Sequence, residues 1–196
     1  MGVPTIKTGP MTVEEFYAFT DARPDEEKWE LIDGEPVLNA SPSPMHQWII
    51  SNLLLALRTR AGDSASWAAL PGLGVRVSDV NRPEPDVLVV PRAGGSADQL
   101  GRDRSDLIVA FEVLSPSTED RDLRWKRIAY GSLPSLTEYV VIAQDVTDVV
   151  VFSRDIDFAE RRFKSLTESI TLASLGISLP LAEIYQDTEW VRGRRW

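Results

Sequence analysis

Hydrophobic positions recur along this chain at two spacings, one helical and one alternating, and their order predicts the fold. In MTVEEFYAFT (11–20), Phe16 and Phe19 form the apolar side of a short helix, and Thr12 with Glu15 is the capping-box pattern that starts one. KWELIDGEPVLNA follows, with Trp29, Leu31, Val37 and Leu38 flanking Asp33-Gly34. That dipeptide is the strongest short hairpin signal, so strands are expected at 28–32 and 35–39. In 41–62, Trp48, Ile49, Leu53 and Leu57 return to helical spacing. Ser43 and Pro44 suit its N-cap and first position, and Gly62 suits its end.

The second half reads mainly as strands. GLGVRVSD (72–79) places Val75 and Val77 on one side, VNRP is a turn, and DVLVVPR (86–92) is a strand. A polar loop with several glycines leads to LIVAFEVL (107–114), an eight-residue strand. SPSTEDRDLRWKRIAYGSL predicts a helix capped at Ser117 or Thr118, acidic in its first turn and stopped at Gly131. EYVVIAQ and DVVVFSR are strands with a tight connection, RRFKSLTE and SITLASLG are expected as a further pair, and PLAEIY is a closing helical turn. Central strands rich in Val, Ile and Leu on both faces, with helices between, define an α/β (α+β) domain with one mixed sheet and helices packed on it. No repeat or linker divides the 196 residues, so one domain is expected over 1–196.

Composition narrows the function. The formal net charge of −9 is the wrong sign for coating nucleic acid non-specifically, which needs Lys and Arg to neutralise phosphates. It leaves room for a local basic groove or a metal bridge to phosphate. Without cysteine there are no disulfides, thiolate chemistry or thiolate zinc sites, and a single histidine argues against a histidine-based zinc site. The N-terminal residues carry no apolar signal region or myristoylation pattern, and no stretch approaches a membrane span, so a cytoplasmic protein without membrane association is expected.

Two acids stand out against this background. Asp86 opens an apolar strand directly after Pro85, which cannot extend a ladder and so places Asp86 at a sheet end. Glu112 lies inside LIVAFEVL on the side of Ile108, Ala110 and Leu114, opposite Leu107, Val109, Phe111 and Val113. A carboxylate in apolar surroundings must be paired, protonated or metal-bound. Two carboxylates from neighbouring strands suit Mg²⁺, which takes oxygen ligands and keeps waters for a substrate phosphate. On the following helix Lys126 shares a face with Leu123 and Tyr130, from which its ammonium can reach Glu112.

Taken together, PDVLVV, IVAFEVLSPSTEDRDLRWKRIAY and EYVVI, with WELIDGE and SPSPMHQWII upstream, resemble the Uma family of the PD-(D/E)XK restriction-endonuclease-like superfamily. The resemblance runs from about residue 12 to about 152. It implies a restriction-endonuclease-like fold, a mixed sheet flanked by helices, and Mg²⁺- or Mn²⁺-dependent hydrolysis of phosphodiester bonds in nucleic acid, DNA in particular. It matches Asp86 and Glu112 to metal ligands, the Val113 carbonyl to the backbone ligand, and Glu30 and His46 to auxiliary positions. It also implies a homodimer. The sequence departs from the superfamily at Leu114, where a lysine is expected; Lys126 matches a lysine relocated to the next helix.

Plainer readings stand beside these. Asp86 could be a turn residue, Glu112 the partner of Lys126 or an arginine without a metal, Lys126 an i,i+4 partner of Asp122, and Glu30 and His46 solvated or structural. The six tryptophans read more simply as core than as base-stacking platforms, and WVRGRRW at the C-terminus as a frayed tail. The rival functions are a nuclease fold without catalysis, serving binding or dimerisation, and a hydrolase of a small phosphodiester.

Overall fold

A computed structural model of the chain describes residues 9–63, 65–92, 101–115 and 119–189. In chain order the elements are α1 (Val13–Asp21), β1 (Trp29–Ile32), β2 (Glu35–Leu38), α2 (Pro44–Ala61), β3 (Trp67–Pro71), β4 (Gly74–Val75), β5 (Val87–Pro91), β6 (Asp103–Arg104) and β7 (Val109–Val113). A π-helical turn (Arg121–Lys126) then runs into α3 (Arg127–Gly131), followed by β8 (Glu138–Ile142), β9 (Val149–Ser153), β10 (Glu160–Phe163), β11 (Ser169–Leu172), β12 (Ile177–Pro180) and α4 (Leu181–Ile184).

The centre is a six-stranded mixed sheet in the order β10-β9-β8-β7-β5-β3. Only β7 and β8 are parallel. A parallel pair needs a crossover, and the π-turn with α3 supplies it. The sheet is buried on both sides. On one, Val87, Val89, Val109, Phe111 and Val140 pack with Ile49, Leu53 and Leu57 of α2. On the other, Leu88, Ala110 and Val141 pack with Tyr130, Leu133 and Leu136 around the crossover. A smaller core joins Val13, Phe16 and Tyr17 of α1 to Leu31 of β1.

The local signals are used as their chemistry dictates. The Thr12–Glu15 capping box is formed in both directions. Asp33 and Gly34 both adopt positive φ, 51° and 78°, as a two-residue hairpin turn of this twist requires. Ser43 caps α2 through the His46 N–H, and Gly62 ends it.

Several segments differ from the sequence reading. The eight-residue strand is five, Val109–Val113; Leu107 and Ile108 pack to the sides opposite those that alternation predicts. GLGVRVSD gives only Gly74–Val75, paired in parallel with Asp103–Arg104. The RRFKSLTE and SITLASLG segments do not pair with each other: β10 joins the sheet edge beside β9, and β11 pairs with β12. β3 carries no sequence signal, because Ala68, Ala69 and Pro71 are poor strand formers; its pairing with β5 decides. The crossover begins as a π-turn, and its expected caps, Ser117 and Thr118, lie outside the described residues. So does WVRGRRW (190–196).

Candidate active site

The sheet brings the two strand acids together. Pairing between β5 and β7 ends at Val87↔Phe111. One step further, Asp86 stands beside Glu112. Pro85 interrupts the ladder there, and the Asp86 side chain replaces the missing backbone partner: the Val113 N–H donates to Asp86 Oδ2 at 2.8 Å. His46, in the first turn of α2, places Nε2 3.2 Å from the same oxygen. Oδ2 is therefore held from two sides, and among the described residues Oδ1 has no partner.

Glu112 is anchored in the same one-sided way. Its Oε1 accepts from Lys126 Nζ at 2.7 Å and from the Tyr130 hydroxyl at 3.2 Å. Its Oε2 has no partner among the described residues. Burial pushes the Glu112 carboxyl well above the ordinary carboxylate range; Lys126 pulls the other way, while Asp122, Asp86 and Glu30 push it further up.

Lys126 is 3 % exposed and lies within 4 Å of three acids: Glu112, Glu30 at 2.9 Å and Asp122 at 3.3 Å. Burial works against its charge, but Glu112, Glu30 and Asp122 outweigh this and hold the ammonium well above the ordinary lysine range. The acids thus favour the charged form of a lysine that is itself buried. The i,i+4 pair with Asp122 is formed, but both partners are buried and Lys126 is shared with Glu112 and Glu30, so it is not a simple surface pair.

Glu30 is fully buried, with both oxygens engaged. Oε1 accepts from the Glu84 N–H at 2.7 Å and faces Lys126; Oε2 accepts from Asn39 at 3.1 Å and faces Arg121 at 3.2 Å. Burial raises its carboxyl, and Lys126 and Arg121 more than reverse that, leaving it below its ordinary value. Glu30 holds the two cations in place and keeps no oxygen free.

These groups meet at a cavity of about 310 Å³, walled by Asp86, Glu112, Val113, Arg121, Asp122 and Lys126 and by the N-terminal turn of α2. Asp122 was read in the sequence only as an i,i+4 partner of Lys126, and Arg121 was missed because of the π-turn. Winding with i→i+5 hydrogen bonds brings Arg121 and Lys126, five apart, to one side, whereas an α-helix would separate them. Gln144 was missed too; it accepts from the capping Ser43 hydroxyl at 2.7 Å and ties α2 to the end of β8.

The donor set fits a small hard cation. No group of three or more acidic or histidine side chains arranged to hold a metal occurs among the described residues. What faces the cavity is one free oxygen each from Asp86 and Glu112 with Val113 between them. Mg²⁺ commonly accepts one or two carboxylates and completes its shell with water and substrate phosphate. Around Lys126 and Arg121 the acids Glu30, Asp86, Glu112 and Asp122 leave an excess of negative charge that a divalent ion would balance.

The fold is a mixed-sheet α/β domain with a recessed acid–lysine cluster at the end of neighbouring central strands. Residues 13–182 match the family Uma2, described as "Putative restriction endonuclease", and the chain belongs to that family. In overall structure it is similar to "a putative nuclease belonging to DUF820 from Anabaena variabilis ATCC 29413", a crystal structure with a TM-score of 0.76 and 17 % identity, covering 91 % of this chain and 99 % of the other. That likeness shows the fold. No curated protein matches the chain. No helix among the described residues is long and apolar enough to cross a membrane.

Proposed function

We propose that the protein is a divalent-metal-dependent endonuclease that hydrolyses phosphodiester bonds of nucleic acid, DNA in particular, with Mg²⁺ or Mn²⁺ held by Asp86, Glu112 and the Val113 carbonyl. The observation that carries this reading is the one-sided anchoring of the two carboxylates: each has one oxygen fixed by protein donors and one left facing the cavity. The buried acids Glu30 and Glu138, by contrast, spend both oxygens on protein donors. The metal, when bound, supplies an acidified water and charge neutralisation at the phosphate.

The residues of the chain do the rest. His46 and the Val113 N–H fix the direction of Asp86. Lys126 holds Glu112 through one oxygen and, staying charged, offsets negative charge growing on the phosphate. Lys126 thus supplies from the crossover the cation that Leu114 cannot supply from the strand. Glu30 keeps Lys126 and Arg121 aimed at the cavity, and the N-terminal turn of α2 adds a partial positive charge at its wall.

The decisive experiment is nicking of supercoiled plasmid by wild type and by Asp86→Ala, with Mg²⁺, with Mn²⁺ and with EDTA. Metal-dependent nicking lost in the variant is the expected result; equal activity in both, or none under any metal, overturns the reading. The reading includes a homodimer in the cytoplasm, following the family resemblance. Light scattering that finds only a 21.8 kDa species at working concentration removes the dimer.

A further inference from the structure

Lys126 and Arg121 both wall the site cavity, and they differ in what they have left to give. An ammonium has three N–H donors. Those of Lys126 are surrounded: Glu112 Oε1 stands at 2.7 Å and Glu30 Oε1 at 2.9 Å, and Asp122 Oδ1 closes the third side as an ion pair at 3.3 Å. A guanidinium has five N–H donors on three nitrogens. Arg121 commits one nitrogen: Nη2 donates to Asn39 Oδ1 at 2.8 Å and lies 3.2 Å from Glu30 Oε2. Its Nε is buried and makes no hydrogen bond; Asp122 Oδ1, at 4.0 Å, is too far for one. Nη1 has no acceptor among the described residues.

Other partly buried arginines leave no such donors. Arg60 and Arg92 each engage Nε, Nη1 and Nη2. Arg82, on the wall of a second cavity of about 370 Å³, gives Nε to Asp103 at 2.6 Å, Nη2 to the Arg102 carbonyl and faces Glu84 with Nη1. A buried donor left unpaired is unfavourable, and Arg121 carries that penalty at the cavity wall. Its placement is built into the fold. The π-turn brings it to the side of Lys126, and the Tyr139 hydroxyl of β8 fastens that turn by donating to the Asp122 carbonyl at 2.8 Å. Asn39 and Glu30 fix one end of the guanidinium from the β1–β2 hairpin. Unspent donors on a fixed planar cation suit an anion with several oxygens, and phosphate has that shape.

We propose, resting on the nuclease reading for the presence of a phosphodiester, that Arg121 is a catalytic residue whose unspent N–H groups donate to the non-bridging oxygens of the scissile phosphate. Lys126 then acts through Glu112 and by its charge, and Arg121 makes the hydrogen bonds. The two cations of the crossover divide the work by their free valence. Glu30 joins them: one of its oxygens faces the lysine and the other the arginine, so both are held relative to the same carboxylate.

The test pairs binding with cleavage in the full chain. Binding is read by fluorescence anisotropy of labelled DNA duplexes, with Ca²⁺ in place of Mg²⁺, over a series of salt concentrations. Arg121→Ala is expected to weaken binding to the same degree for different sequences and to lower the slope of log K against log salt by about one, as loss of one phosphate contact does. In plasmid nicking with Mg²⁺ it is expected to lower kcat by about 10²-fold or more, the effect of removing a donor to developing charge. The metal concentration that gives half-maximal nicking should stay the same. Arg121→Lys keeps a cation beside Glu30 but not the planar fork, so it is expected to keep the salt slope and recover little of kcat. If Arg121→Ala fails to fold, Arg121→Lys decides. Wild-type kcat in Arg121→Lys overturns the assignment, as does an unchanged salt slope in Arg121→Ala. A loss of activity that saturating metal repairs also overturns it, because Arg121 would then act through the metal ligands. Nicking that neither variant alters sinks the assignment alone. Arg121-dependent DNA binding without nicking under any metal sinks the nuclease reading alone, and neither binding nor nicking sinks both.

Discussion

Glu112 in β7 and Glu138 in β8 lie in adjacent parallel strands, and both are almost wholly removed from solvent. Their surroundings are opposite. Glu138 is closed: Oε1 accepts from the Ser174 N–H at 3.2 Å, and Oε2 from the Ser174 hydroxyl at 2.5 Å and from the Thr137 hydroxyl. Glu112 is half open, with Lys126 and Tyr130 on one oxygen and the cavity before the other. Burial of a charge alone therefore does not mark a site. What marks it is valence left over after the protein has made its own hydrogen bonds, at a place a ligand can reach.

The comparison breaks or sharpens under a series of changes. The largest effect is on activity. Glu112→Gln and Asp86→Ala are expected to lower plasmid nicking by about 10³-fold or more, about 4 kcal/mol of barrier. Glu138→Gln is expected to leave it within about twofold; similar losses in both glutamate variants would erase the distinction. Next is stability. Lys126→Met removes the cation shared by Glu112, Glu30 and Asp122 and leaves only Arg121 beside Glu30 and Asp122; breaking such a buried arrangement costs about 3–5 kcal/mol. Urea unfolding in EDTA measures it, and divalent metal should recover part of the loss.

Glu138→Ala comes third. It strands the Ser174 N–H and hydroxyl, at about 1–3 kcal/mol, or a Tm lowered by several degrees in a domain of this size. Metal should not restore it, because Glu138 lines neither of the two cavities and spends both oxygens on protein donors. The smallest effect is on pH dependence. The folded carboxyl of Glu112 titrates above its unfolded value, so its contribution is complete below the ordinary carboxylate range and declines as pH rises through the folded value. Lys126, also raised, keeps its contribution until pH passes the ordinary lysine range. Unfolding free energy of the metal-free protein, followed from acid to neutral pH, should fall more for wild type than for Glu112→Gln. Parallel curves would show that Glu112 titrates normally.

The sequence made half of this visible. Asp86 was legible because Pro85 precedes it and an apolar strand follows, and Glu112 because LIVAFEVL has no other charge. Lys126 was legible as the residue one α-helical turn before Tyr130. Glu138 looked no different from Glu112 by that reasoning, since EYVVI is as apolar as VAFEV. Only Ser174, thirty-six positions on, shows which acid is closed, and its distance in sequence hides the pairing. Arg121 was hidden by the π-turn, which changes which residues share a face without any proline or glycine to announce it, and Asp122 was visible only as an i,i+4 partner of Lys126, not as a buried one.

By itself, then, the sequence determined the order of the main helices and of the central strands β5, β7, β8 and β9, the capped starts of α1 and α2, the Asp33-Gly34 hairpin and the pair of strand acids. These depend on neighbours a few positions away, where propensity, capping and alternation act directly. The tertiary structure alone decided that β10 joins the main sheet while β11 pairs with β12, that Glu30 spends both oxygens on the protein, and that Asp86 and Glu112 each keep one. Those outcomes turn on which donors arrive from distant segments, and a side chain's free valence is fixed only once every such donor is in place.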